Sequence, residues 1–369
     1  MSFTTTIEKY TDFEFEKFFD RVRPDDVTAA MEKEKPGVLD FLTMLSPRAA
    51  EFLEPMARRA QQLTVQHFGR TIHLFIPLYI SNYCSNQCVY CGFNCTHAIT
   101  RRKLDLKEIE AEARAIAATG MQHLLLLTGE SVEMTPIDYL EAAVSLLKSY
   151  FASVGVEMFP MQVDAYQRLR AAGADSLTLY QEVYDRQIYR RLHLAGRKTD
   201  YRFRLDAPER GAWAGFRAIN IGPLIGLGEP RREVFFAGLH ARYLDDHFLD
   251  TEVGLSLPRL NPAEGDFRPE YRADDRTFVQ LLLALRLFMP RAALTVSTRE
   301  RADFRNHLIR LGITRLSAGS CTGVGGYARP VGEKTPQFVV SDTRSVQQVA
   351  EAIAAQGYQP VYKDWDLIA

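Results

Sequence analysis

Residues 72–91 read IHLFIPLYISNYCSNQCVYC, a largely apolar run that is followed at once by three cysteines. The run Ile72–Ile80 predicts a buried strand, because parallel strands covered on both faces are almost continuously apolar. Cys84, Cys88 and Cys91 then follow with the spacing C-x3-C-x2-C. A single tight loop at the end of the first predicted strand therefore carries three thiols.

From about residue 70 the chain alternates strand-like and helix-like segments. Asp105 is a predicted helix cap, Thr135-Pro136 predicts a helix with Pro136 at its first position, and Asp274 begins a third helix. Eight strands are predicted: Ile72–Tyr79, His123–Thr128, Gly155–Met161, Ser176–Gln181, Ala218–Ile225, Gly254–Arg259, Ala293–Thr298 and Arg315–Ser317. Strands alternating with helices predict a parallel sheet, and eight such units predict a closed (β/α)8 barrel of the α/β class.

The segments outside the alternation predict two extensions of the barrel. Residues 1–70 form an expected N-terminal helical extension, with helices over Val38–Leu45 and Ala49–His67. Residues 71–320 form the expected barrel. Residues 321–369 are expected to supply a glycine-rich cover over the barrel mouth and a short C-terminal helix over Arg344–Ala355.

Bulk composition excludes several classes of protein. The net charge of the 369-residue chain is −1, which gives no electrostatic case for nucleic acid binding. No stretch resembles a signal peptide or a membrane span, so a cytoplasmic protein with no membrane partner is expected. Five cysteines, four of them within twelve residues, do not indicate a disulfide framework.

Three thiolates on one loop match the needs of an iron–sulfur cube. Each can bind one iron of a [4Fe–4S] cluster, and the fourth iron then stays open to a small molecule. A structural zinc site, which takes four ligands, is the alternative, because Cys95 and His97 could complete such a set with cysteines of the loop. Cys95 is interpreted as a neighbouring thiol rather than a ligand, and Cys321 as structural.

Polar and charged residues collect at the predicted C-terminal ends of the strands, which form the catalytic face of such a barrel. Beyond Cys84 they are Thr128-Gly129-Glu130, Gln181-Glu182, Pro258-Arg259, Ser297-Thr298-Arg299-Glu300 and Ser317. Six groups of this kind at one face predict an active site at the mouth of the barrel.

The cysteine spacing, its place after a first strand and Tyr90 before the last cysteine resemble the radical S-adenosylmethionine (SAM) superfamily. Further segments narrow the resemblance: Ile76–Tyr79, Leu126–Glu130, Leu179–Tyr184, Gly222–Leu227, Ser256–Leu260, Ser297–Glu300, Gly325–Ala328 and Lys363–Asp366. Together they resemble the 2-iminoacetate synthase family, the tyrosine lyases of thiamine thiazole biosynthesis. A tryptophan lyase and the tyrosine lyase that matures [FeFe]-hydrogenase are the related alternatives. The latter carries a second cluster domain, which is not expected here because no cysteine follows Cys321.

This resemblance implies a reaction and two cofactors. A [4Fe–4S] cluster on Cys84, Cys88 and Cys91 would cleave SAM reductively to methionine and a 5′-deoxyadenosyl radical. That radical would take a hydrogen from the amino nitrogen of L-tyrosine, and the Cα–Cβ bond would break to give 2-iminoacetate and a 4-hydroxybenzyl radical, which ends as p-cresol. The implied partners are a flavodoxin- or ferredoxin-type reductant and the thiazole synthase.

The resemblance also implies roles for the candidate site residues. Thr128, Gly129 and Glu130 would hold the amino group of SAM, and Arg204 its carboxylate. Glu182 would bind the ribose hydroxyls, and Tyr90 would pack near the adenine. The substrate carboxylate would pair with Arg299, whose alternative partner is Glu300, and Ser317 and Tyr79 would supply further polar contacts.

Overall fold

The computed structural model describes residues 2–328 and 336–363, and its centre is a closed parallel barrel. Each strand pairs with the next along the chain, and both the second and the eighth pair with the first. The barrel strands are β1 (Thr71–Ser81), β2 (His123–Thr128), β3 (Ser153–Glu157), β4 (Ser176–Thr178), β5 (Ala218–Ile221), β6 (Glu252–Ser256), β7 (Ala293–Val296) and β8 (Arg315–Ser317). The predicted (β/α)8 fold is confirmed.

Several predicted strand bounds are wrong although every predicted strand exists. The third runs over Ser153–Glu157 rather than Gly155–Met161, and its predicted extension contains Pro160, which has no N–H for a ladder. The fourth to seventh strands end earlier in the structure than predicted. The prediction ran too far because buried side chains continue beyond the last paired residue into the barrel mouth. At these strand ends the apolar sequence pattern therefore indicates burial of side chains and not strand pairing.

Helices surround the barrel and precede it. They are α1 (Phe3–Glu8), α2 (Phe15–Arg21), α3 (Pro24–Glu32), α4 (Val38–Leu45), α5 (Leu53–Phe68), α6 (Leu106–Ala117), α7 (Ile137–Lys148), α8 (Val163–Ala171), α9 (Arg186–Leu192), α10 (Tyr201–Leu205), α11 (Ala207–Trp213), α12 (Pro230–His247), α13 (Asp275–Phe288), α14 (Ala302–Leu308) and α15 (Val346–Ala355). Asp105 caps α6 in a reciprocal box with Glu108, and Asp274 caps α13, as predicted. Pro136 is the N-cap of α7 and not its first helical residue.

The first five helices pack on the outside of the barrel. Helices α4 and α5 contact α13, and α1 contacts α12. Phe41 on α4 stacks on Phe288 of α13 with ring centroids 4.3 Å apart, so an aromatic pair anchors this layer. No helix within residues 2–328 and 336–363 is long and apolar enough to cross a bilayer.

The C-terminal part adds an element that was not predicted. Strand β9 (Gln359–Val361) pairs in parallel with the start of β1, at Thr71–His73. It is three residues long and contains a proline, so its sequence carries no strand signal. The segment Asp364–Asp366 used in the family resemblance lies outside the described residues.

Candidate active site

A cavity with an empty volume of about 1000 Å³ opens at the C-terminal ends of the barrel strands. Its wall is apolar on one side, where Phe75, Leu125 and Leu127 line it. Six of the residues to which the resemblance gives a role line the same cavity: Tyr79, Tyr90, Cys91, Glu182, Arg299 and Ser317. The other predicted residues lie around these six, so the structure brings the predicted set to one end of the barrel.

The cysteine loop is fixed by Asn86, which the sequence did not single out. Its buried side chain donates to Glu130 Oε2 at 2.7 Å and accepts from the backbone N–H of Lys198 at 2.9 Å. Its own backbone N–H lies 3.5 Å from Cys84 Sγ. One asparagine therefore ties the cysteine loop to two neighbouring segments of the barrel mouth.

The segment after β2 approaches the cysteine loop at a glycine. Gly129 donates its N–H to the Ser81 carbonyl at 2.8 Å, and a Cβ at this position would lie 2.3 Å from the Tyr83 carbonyl oxygen. Only glycine fits this approach without a shift of backbone. The Glu130 carboxylate faces Asn86, and Thr128 Oγ1 lies 3.1 Å from the Gly129 carbonyl.

Three charged side chains form a cluster beside the cysteine loop. Glu182 lies 2.7 Å from Lys198 Nζ and 3.7 Å from Arg204 Nη2. Burial alone would raise the pKa of Glu182, but Lys198 and then Arg204 outweigh it and lower that pKa. Apart from glycines, Glu182 alone among the described residues has a positive φ, 72°, a conformation that clusters at functional sites. The Lys198 ammonium also lies 5.7 Å from the centre of the Tyr90 ring.

Arg299 follows β7 and presents its guanidinium to the cavity. Its Cζ lies 3.3 Å from the ring centre of Phe338, and within the described residues it has no hydrogen bond or salt bridge from its side chain. Glu300, its alternative partner, binds Arg259 instead, with Nε and Oε1 2.9 Å apart. Arg259 also binds Asp275 at 2.8 Å, so it belongs to a structural ion network.

Two polar residues predicted near Arg299 line the same cavity. Ser317 Oγ accepts the backbone N–H of Thr298 at 3.0 Å. The Tyr79 hydroxyl donates to Gln337 Oε1 at 2.8 Å. Both groups keep a free lone pair or proton for a ligand.

Comparisons with known proteins agree with this arrangement. Residues 78–235 match the Radical SAM superfamily, and residues 256–359 match the Biotin and Thiamin Synthesis associated domain. The 2-iminoacetate synthases of Salmonella typhimurium and Escherichia coli K12 are each 40% identical over 342 residues, which cover 92% of this chain and 90% of theirs. The chain belongs to the 2-iminoacetate synthase family. A crystal structure of HydG, a maturase of the [FeFe]-hydrogenase, superposes with a TM-score of 0.90 at 30% identity, covering 95% of this chain and 80% of that one.

As a radical SAM family member the chain is expected to carry a [4Fe–4S] cluster, and its loop fits one. The Cys88 thiol lies near enough to Cys84 and Cys91 for both to affect its pKa, and a cube takes one thiolate at each of three corners. Burial raises the pKa of Cys84, Cys88 and Cys91, so iron binding must release their protons. Cys95 is exposed.

One carboxyl group inside this cavity was not predicted from the sequence. Glu157, the last residue of β3, lines the cavity, and its carboxylate has no hydrogen bond or salt bridge within the part of the chain that the structure describes. Burial and then Glu182 raise its pKa to about 7, against the opposing charges of Arg299, Arg204 and Lys198. Glu157 lay within the predicted strand Gly155–Met161, and a charged residue in that otherwise apolar run was the available signal. Lys198 offered no signal because it lies in a polar helical turn.

Proposed function

We propose that the protein is a radical SAM carbon–carbon lyase that cleaves the Cα–Cβ bond of L-tyrosine to 2-iminoacetate and p-cresol. SAM is reductively cleaved to 5′-deoxyadenosine and methionine in the same reaction. The observation that carries the proposal is a single cavity lined both by Cys91 of the cysteine loop and by Arg299, whose guanidinium has no salt bridge to any described residue. Family membership supports it, and the 2-iminoacetate serves thiamine thiazole formation.

The cofactor end of the cavity is the cysteine loop and the charges beside it. When bound by Cys84, Cys88 and Cys91, a [4Fe–4S] cluster supplies the electron that cleaves SAM. Arg204 and Lys198 offer positive charge for the SAM carboxylate, and Glu182, which pairs with both cations, is the proposed acceptor for the ribose hydroxyls. Tyr90 provides an aromatic face toward the adenine, and Thr128 to Glu130 border the place of the SAM amino group.

The substrate end of the cavity is built around Arg299. Its planar guanidinium suits two parallel hydrogen bonds to a carboxylate, and stacking on Phe338 holds that plane in place. Ser317 and Tyr79 stand beside it for the remaining polar atoms of the amino acid. The α-carboxylate of tyrosine is therefore proposed to bind here.

Glu157 is proposed to receive the phenolic hydroxyl at the far wall. Strands β3 and β7 are four positions apart in the closed sheet of eight, so Glu157 and Arg299 project from opposite sides of the barrel. Apolar Leu125 and Leu127 lie in the wall of the same cavity. An amino acid with one polar group at each end and an apolar ring between them matches this distribution.

The test is an anaerobic incubation of the reconstituted protein with SAM, a reductant and one amino acid at a time. Tyrosine is expected to give p-cresol, glyoxylate from hydrolysis of 2-iminoacetate, and 5′-deoxyadenosine. Turnover of tryptophan alone would refute the tyrosine assignment and favour the tryptophan lyase. Cyanide or carbon monoxide as the main product would favour the hydrogenase-maturation reaction.

The partners follow from the chemistry of this proposed reaction. Reduction of the cluster calls for a low-potential donor of the flavodoxin or ferredoxin type. Because 2-iminoacetate hydrolyses readily, transfer to a thiazole synthase would protect it. A cytoplasmic location, where thiols stay reduced, suits the three cluster cysteines.

A further inference from the structure

The C-terminal segment Pro336–Phe338 crosses the cavity mouth and touches the cysteine loop. Gly92 donates its backbone N–H to the Gln337 carbonyl at 3.2 Å. A Cβ on Gly92 would lie 2.7 Å from the Gln337 carbonyl oxygen and 2.8 Å from that of Pro336. The absence of a side chain at Gly92 thus permits backbone-to-backbone contact directly after Cys91.

The Gln337 side chain joins the two ends of the cavity. Its Nε2 lies 3.9 Å from Cys91 Sγ, within reach of an N–H to sulfur hydrogen bond. Its Oε1 accepts from the Tyr79 hydroxyl at 2.8 Å. The next residue, Phe338, lies under the guanidinium of Arg299. One short segment therefore contacts a cluster ligand and two residues of the proposed substrate site.

We propose that Gln337 is a positioning residue that links the amino acid site to the cluster through a directed chain of hydrogen bonds. A cysteine that ligates iron is a thiolate, which only accepts, so the amide nitrogen of Gln337 must face Cys91. The amide oxygen then faces Tyr79, whose hydroxyl must donate to it. The Tyr79 oxygen is left to accept from the cavity, where the ammonium group of an amino acid is a matching donor.

This direction has two consequences. An N–H bond to a ligand sulfur stabilises the more negative, reduced cluster and so raises its reduction potential. An ammonium group on Tyr79 would polarise the chain further toward Cys91, because hydrogen bonds in series strengthen one another. Substrate binding is then expected to make reduction of the cluster easier.

The experiment is a redox titration of the reconstituted, SAM-free protein, followed by electron paramagnetic resonance. Gln337→Met removes both polar atoms at similar length, and Gln337→Glu keeps the shape but loses the donor. Both variants are expected to hold the wild-type amount of iron and to show a more negative midpoint potential. Tyr79→Phe removes the preceding bond of the series and is expected to shift the midpoint in the same direction by a smaller amount. Gln347→Met, at an exposed glutamine of α15, is the matched control.

An unchanged midpoint in both Gln337 variants with full iron content would overturn the proposal. Adding tyrosine should shift the wild-type midpoint upward and leave that of Gln337→Met where it is, and equal shifts in the two proteins would contradict the relay. The effect of tyrosine through Tyr79 and Gln337 rests on the proposed function, but the result expected without substrate does not. If the midpoint potential depends on Gln337 but the protein makes no p-cresol, the proposed lyase function is refuted, and the hydrogen bond from Gln337 to Cys91 is still supported.

Discussion

Replacement of Arg299 by lysine tests the substrate end of the cavity most directly. In the structure this guanidinium has no protein anion to satisfy it within the described residues, and its plane is fixed on the Phe338 ring. Lysine keeps the charge but loses the planar fork that binds both carboxylate oxygens in parallel. Arg299→Lys should therefore weaken the orientation of the amino acid and leave the cluster and SAM binding intact.

The size of the effect follows from the contacts that are lost. One charge-assisted hydrogen bond contributes about 1.5–3 kcal/mol. The stacking of the guanidinium on Phe338 adds about 0.5–1 kcal/mol. A combined loss of about 2–4 kcal/mol corresponds to a decrease in kcat/KM for tyrosine of roughly 30- to 900-fold.

The assay follows p-cresol and 5′-deoxyadenosine together under anaerobic conditions. A misplaced amino group should let SAM cleavage proceed without lyase product, so the ratio of 5′-deoxyadenosine to p-cresol should rise. Arg301→Lys is the matched control, since Arg301 is exposed and pairs with Asp275 outside the cavity. If kcat/KM and the product ratio both stay at wild-type values in Arg299→Lys, the carboxylate is bound elsewhere, and Arg204 becomes the next cation to test.

Three further outcomes are expected. Cys88→Ala should lose the cluster and all SAM cleavage, whereas Cys95→Ala should keep about four irons per chain, as measured by iron analysis and absorbance. Because the pKa of Glu157 is raised from 4.5 to about 7, the folded protein keeps a proton that the unfolded chain releases, and stability falls as pH rises through this window. Relative to wild type, Glu157→Gln should gain about 1–3 kcal/mol in free energy of unfolding between about pH 5 and about pH 8, measured by urea unfolding. Gly129→Ala should lose about 1–3 kcal/mol, because its Cβ would collide with the Tyr83 carbonyl.

The alternation of strands and helices was enough to predict the barrel and the face that bears the site. Parallel strands are covered on both sides, so the run Ile72–Ile80 and the seven later strands could be predicted as apolar stretches. The apolar sequence pattern could not locate the strand ends, because side chains such as Leu179 and Leu224 remain buried beyond the last paired residue. Strand β9 was missed because three residues with a proline have no period to detect.

Site residues could be predicted where a local sequence motif marks them. They could not be predicted where only the fold brings distant residues together. Arg299 was found because it follows a strand end. Gln337 lies 258 residues from Tyr79 along the chain, and nothing in either local sequence predicts their hydrogen bond. Lys198 reaches Glu182 from a short helical turn in the same way. Such contacts depend on how the loops of the barrel mouth fold over one another.

The distribution of charge suggests how one cavity would tell two amino acids apart. Tyrosine and the methionine part of SAM each present a carboxylate and an amino group, so both compete for the same kinds of partner. Lys198 and Arg204 already share the carboxylate of Glu182, so both cations have a protein partner before an anion arrives, although their cluster keeps one net positive charge. Arg299 has no such counter-ion among the described residues. We therefore expect the stronger selection for a free carboxylate at Arg299, and the placement of SAM to depend more on its link to iron than on charge alone.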